Sequence, residues 1–118
     1  MRVILPERPD HQAVTERPTA ELERTVLGAA ERPCAAAAAN PEDWFPIEPG
    51  PGDQTRARTL SEALALALCR GCPVTAECLE LTLHREGPAR GYGIAGATTS
   101  WQRQAIKLGR GWAVRRRG

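Results

Sequence analysis

"LCRGCPVTAECL", Leu68–Leu79, decides how this chain folds. It places Cys69, Cys72 and Cys78 close together, and Cys34 is the fourth and last cysteine. Cys69 and Cys72 bracket a turn, Arg70-Gly71, that lets the chain double back and aim two sulfurs at one centre. Pro73 suits the first turn of a new helix, so Cys78 lies in that helix's opening turns and can point back at the same centre. Cys34 follows a helix end at Pro33 and can close the fourth corner. Zinc sites usually pair C-x2-C with a second close pair, whereas here Cys34 and Cys78 are far apart in sequence. Iron–sulfur clusters take four thiolates and tolerate a remote ligand, but the spacing matches neither bacterial nor plant-type ferredoxins. Spacing therefore indicates a four-thiolate centre and leaves zinc and iron–sulfur both open. A third reading, a thiol–disulfide enzyme using Cys69-Arg-Gly-Cys72, lacks the βαβ context of such enzymes.

The rest of the chain needs such a centre. It has 118 residues and only 4% aromatic residues, and its 42% hydrophobic fraction is inflated by alanines such as those of "CAAAAAN", Cys34–Asn40. A domain this thin in apolar volume usually relies on a metal or disulfides. The N-terminal "MRVILPERPDHQ" has only three apolar residues before Pro6, too few for a signal-peptide core. No run approaches the roughly 18 apolar residues of a membrane span. The expected compartment is the cytoplasm, where clustered thiols stay reduced and hold metal more often than they staple a fold. No local Ser/His/Asp, Cys/His or paired-carboxylate signature of catalysis is present, so no enzyme activity and no small-molecule substrate are expected.

Residues 1–18, rich in proline and charge, read as a disordered leader. "TAELERTVLGAAERP" predicts a helix capped by Thr19, with Leu22, Val26, Ala29 and Ala30 on one stripe and a stop at Pro33. "NPEDWFPIEPGPGD" is a loop whose Trp44 and Phe45 either anchor it to a helix or shield a cofactor from water. A capping box at Thr59–Glu62 predicts a helix from about Leu60 into Cys69. A further helix follows Pro73 and ends at Gly87. "SWQRQAIKLG" predicts a short basic helix. The fold class is all-α: about four short helices organised around the cysteine centre, with a body at 19–100 and a basic segment at 101–118.

"C…NPEDWFP…LALCRGCPVTAECL…GYGIAGA" resembles the WhiB-like family of actinobacterial and actinophage regulators over about residues 25–117. That family has a "DPELFFP"-like loop, then C-x2-C-P-V-x3-C-L, then a G-V/I-W-G-G turn and a basic tail. The resemblance implies a redox-responsive transcriptional regulator with a 4Fe–4S cluster on Cys34, Cys69, Cys72 and Cys78. It implies DNA and region 4 of the principal sigma factor of RNA polymerase as partners, and apo forms that carry disulfides or bind DNA. Cys69 with Cys72, and Cys34 with Cys78, are the pairs expected to bridge once the cluster is lost. The partner-binding turn maps onto Gly93, Ile94, Ala95 and Gly96, where Ala95 replaces the family Trp and Ala97 the last Gly. A zinc-stabilised protein-interaction module without a redox role is the alternative.

From Trp101 onward the chain carries Arg103, Lys107, Arg110, Arg115, Arg116 and Arg117 and no acid, so this +6 segment sits on a body of −4 within a net charge of +2. Such a tail fits a polyanion. Arg110, Arg115, Arg116 and Arg117 are the candidate DNA contacts. If all six cations engaged phosphates, affinity would fall roughly a thousandfold between about 50 and 200 mM salt. "GYGIAG" matches G-x-G-x-x-G literally, but a helix precedes it and no partner acid follows. His84 is expected to be solvated or locally bonded rather than a ligand.

Overall fold

Leu22 and Val26 are one helical turn apart on the inner stripe of α1 (Thr19–Leu27), and both are buried. They meet Leu81 of α3 (Thr75–Glu86) and Val74, which precedes it, to form the small apolar core. Each such side chain contributes about 1.5–3 kcal/mol, so this core is as thin as the composition implies. The structure, a computed structural model, describes residues 14–46 and 55–112. Its other helices are α2 (Thr55–Leu68) and α4 (Ser100–Gly109), and 3-10 turns occur at Pro33–Ala35 and Pro41–Trp44. Among the described residues the one extended pairing is an isolated bridge between Ala95 and Thr98. The predicted all-α class is the one observed.

Several boundaries differ from expectation. Helix α1 stops at Gly28, whose N–H donates to Arg24 O, rather than running on to Pro33, because glycine is a poor interior helix residue. Pro18 occupies the N-cap and makes no side-chain cap. Thr19 instead shares a hydrogen bond of 3.0 Å with His84 Nδ1, so this histidine is locally bonded. Helix α2 starts at Thr55, which puts Thr59 inside it and abolishes the expected capping box. Glu62 has another use: it accepts a 3.0 Å hydrogen bond from Trp101 Nε1 and ties α2 to α4. The capping box that does form is Thr99–Gln102, at the start of α4. Of the expected leader, residues 1–13 lie outside the described residues; residues 14–16 are helical, and Val14 is buried in the core.

Helix α4 is tied to the end of α3 by charge. Arg103 and Lys107, one turn apart, are wholly buried. Arg103 Nε donates to Glu86 Oε2 at 2.8 Å and Lys107 Nζ to Glu86 Oε1 at 2.8 Å. Arg103 also donates to the carbonyls of Tyr92, Gly93 and Thr98, and Lys107 to that of Ala89. One carboxylate at the end of α3 thus holds two cations of α4, and the arginine fork holds both arms of the turn between the helices. Buried charges persist only when paired and hydrogen-bonded in this way.

Candidate metal centre

The four cysteines come from three places in the chain and line one cavity of about 260 Å³. Cys34 sits in the 3-10 turn Pro33–Ala35 and is the exposed member of the set. Cys69 directly follows α2. The turn after it is closed by a Cys72 N–H bond to Cys69 O at 3.1 Å and passes through Gly71 at φ +77°. The Thr75 hydroxyl donates to Cys72 O at 3.1 Å, fixing the junction with α3. Cys78 lies in the opening turns of α3, where its N–H reaches Val74 O at 2.8 Å and where the helix dipole favours negative charge.

All four cysteines line this one cavity. Among the described residues, no three Cys, His, Asp or Glu side chains come together closely enough to hold a single metal ion. Zinc demands four donors at about 2.0–2.3 Å from one nucleus. A 4Fe–4S cluster instead takes one thiolate at each of four irons, so its sulfurs stand apart around a larger body. The donor set and the enclosed volume fit the cluster.

The remaining wall is mostly apolar. Trp44 and Phe45 line it with Pro41, Leu68, Ile94 and Ala95. The aromatic loop is joined to the glycine turn by Ile94 N–H donating to Trp44 O at 2.7 Å. A side chain at Gly93 would strike the Phe45 ring at 2.6 Å. Gly96 and Ala97 both have positive φ, +56° and +62°, as a two-residue type I′ turn requires. Gly96 lies so close to α3 that a Cβ there would come within 2.6 Å of Leu79 Cα. Its backbone N–H thereby reaches Cys78. Burial pushes the Cys78 thiol pKa up, with Cys69 and Cys34 adding to the rise, while the Gly96 amide and Thr82 oppose it.

The predicted partner-binding turn is therefore largely interior. Gly93, Ile94 and Gly96 are buried, and Ala95 faces the cavity. What stands exposed beside it is Tyr92 and Phe45. Of the candidate DNA contacts, Arg115, Arg116 and Arg117 lie outside the described residues. Arg110 forks onto Glu80, with Nη1 at 2.9 Å and Nη2 at 2.6 Å, and this pairing holds its pKa above the usual arginine value. It also lies over Trp112 at 6.0 Å. Of the up to six C-terminal cations that could face phosphates, Arg103 and Lys107 are buried and paired with Glu86 inside the fold. Sequence reading missed Glu86, their common partner. The available signal was that Ser100, Arg103 and Lys107 fall where an apolar stripe of α4 would lie.

Residues 30–106 match the protein family described as Transcription factor WhiB. No curated protein and no solved structure matches the chain. With the match spanning most of its length, and with all four cysteines and the glycine turn inside it, the chain belongs to the WhiB family of transcription factors.

Proposed function

We propose that this protein is a redox-responsive transcriptional regulator that carries a 4Fe–4S cluster on Cys34, Cys69, Cys72 and Cys78. The observation that carries the reading is that all four cysteines line one mostly apolar cavity. When bound, the cluster supplies an electron-accepting centre whose loss releases four thiols. The chain's own residues do the rest. Trp44, Pro41, Phe45 and Ile94 line the centre with apolar surface, and the Gly96 amide supports Cys78. Membership of a transcription-factor family points away from enzyme activity. Among the described residues no helix is long and apolar enough to cross a membrane, and the proposed setting is the cytoplasm.

DNA and the principal sigma factor are the proposed partners. Phosphate contact falls to Arg115, Arg116 and Arg117, with Arg110 joining only by leaving Glu80. Phosphate contacts position a protein without reading sequence, so promoter choice comes mainly from the sigma factor. With Ala95 in place of the family Trp, the aromatic surface offered at that turn is Tyr92 and Phe45. The deciding experiment is absorption spectroscopy with iron, sulfide and zinc analysis of anaerobically purified protein. A brown sample with about four irons and four sulfides per chain supports the cluster. A colourless one with stoichiometric zinc hands the case to a zinc-stabilised interaction module.

A further inference from the structure

Among the described residues lining the cavity, Arg32 is the one that is charged. Its guanidinium is held at both ends. Nε donates to Ala29 O at 2.9 Å, just beyond α1, and Nη1 donates to Cys34 Sγ at 3.8 Å. Cys34 is the exposed cysteine of the four, so its sulfur is the one that water and solutes reach most easily. Four thiolates around a cluster bring net negative charge into an apolar wall, and among the described residues no acid lines that wall to add to it. A fixed cation on the most exposed sulfur offsets that charge where it is least sheltered. Hydrogen bonds to cluster sulfurs and the local net charge are among the quantities that set a cluster's reduction potential. Outer-shell partners of this kind also govern retention of the metal.

We propose that Arg32 is a positioning residue for the Cys34 ligand, which raises the reduction potential of the cluster and slows its loss through the exposed corner. The proposal rests on the cluster reading above. Removing the cation makes addition of an electron harder, so the midpoint moves down. It also leaves Cys34 Sγ without its donor, so a chelator strips iron faster. Lysine keeps the charge near the sulfur but loses the fork that grips Ala29 O, so it preserves the potential better than the retention rate.

The test uses full-length protein, wild type, Arg32→Gln and Arg32→Lys, reconstituted anaerobically with iron and sulfide. Potentials are read by dithionite titration followed by electron paramagnetic resonance, and cluster loss by the decay of visible absorption in excess chelator. The expected result is a lower midpoint in Arg32→Gln, a midpoint near wild type in Arg32→Lys, and loss about tenfold faster in Arg32→Gln, the lower end of outer-shell effects. Equal midpoints and equal decay in wild type and Arg32→Gln overturn the proposal while leaving the cluster reading intact. A faster decay shared equally by both variants with no change in midpoint also overturns it, because that is the signature of a merely slackened loop. Failure of the wild type to take up iron and sulfide overturns the cluster reading, and this proposal with it.

Discussion

Arg103→Met tests whether the turn beside the cysteines is held by charge buried in α4. Methionine fills much of the volume but makes none of the bonds to Glu86, Tyr92, Gly93 and Thr98. Removing one partner of a buried pair costs about 3–5 kcal/mol, because the other charge is left uncompensated. Glu86 keeps Lys107 at 2.8 Å, which favours the lower end of that range, while three carbonyls lose a donor and push it up. For a domain of about 60–100 residues each kcal/mol moves the midpoint by about 4–8 °C, so the drop should be at least about 12 °C. The assay is thermal unfolding of the reconstituted protein followed by circular dichroism, with Arg85→Ala as the control. Arg85 pairs with Glu23 on the surface, with both side chains about half exposed, and such pairs contribute about 0–1 kcal/mol. A drop in Arg103→Met no larger than the control's would refute the clamp. Glu86→Gln should be at least as damaging, since it leaves two buried cations without a carboxylate.

Ala97 holds a left-handed conformation that costs a non-glycine residue about 1–2 kcal/mol, and glycine gives back about 0.5–1 kcal/mol of that in chain entropy. Ala97→Gly should therefore raise the unfolding midpoint slightly, and a lower midpoint would show that the Ala97 methyl makes a contact outweighing its strain. Cys72→Ser should prevent cluster assembly and loosen the helix junction; unchanged circular dichroism and hydrogen exchange would sink the view that the centre cross-links the fold. Apo protein left in air should lose free thiols as Cys69 and Cys72 bridge, and four alkylated cysteines by mass spectrometry would contradict this. Changing Arg115, Arg116 and Arg117 together to Ala should weaken binding to specific and scrambled duplexes alike, lowering the salt slope by up to about 2.7. Fluorescence anisotropy at several salt concentrations reads it, and an unaltered slope would mean that those arginines stay solvated.

The candidate site was legible because its signals are short in range. Two residues between Cys69 and Cys72, a proline at position 73 and Cys78 on the following helix bring three cysteines to one cavity by local geometry. The loop with Trp44 and Phe45 announced itself by composition, although only the fold puts both aromatics on the cavity wall. The Glu86–Arg103–Lys107 group was not legible in the same way. Glu86 is far in sequence from Arg103 and Lys107, and although those two fall on the inner stripe of α4, nothing local names the carboxylate that pairs with them. The start of α2 was misplaced for a related reason. Thr59 and Glu62 satisfy a local capping pattern, but Glu62 is taken by Trp101 Nε1 across the fold, and the helix extends back to Thr55. Val14 lies in a proline-rich, charged stretch that hides a single apolar contact. In each case a tertiary partner outweighed the local rule.

Helix α4 divides its cations by face, and that division sets how the chain can use its positive charge. Arg103 and Lys107 point inward and hold the turn whose Gly96 amide supports Cys78, so their charge is cancelled by Glu86 before any polyanion arrives. Arg110 lies between the two roles, one third exposed and forked onto Glu80. To reach a phosphate it must leave a charge-assisted, bidentate pair and strand a carboxylate that is itself buried, which makes the exchange unfavourable. On the proposed reading, the phosphate contacts then fall to the three arginines after Ala113. With three contacts rather than six, affinity falls by only about fortyfold between about 50 and 200 mM salt. If DNA is the partner, as proposed, an attraction with so shallow a salt dependence would gather the protein onto it without fixing it there. On the same proposal, the residues that decide where it acts would lie elsewhere, and the exposed aromatics beside the cysteine cavity, Tyr92 and Phe45, are the surface proposed for that purpose.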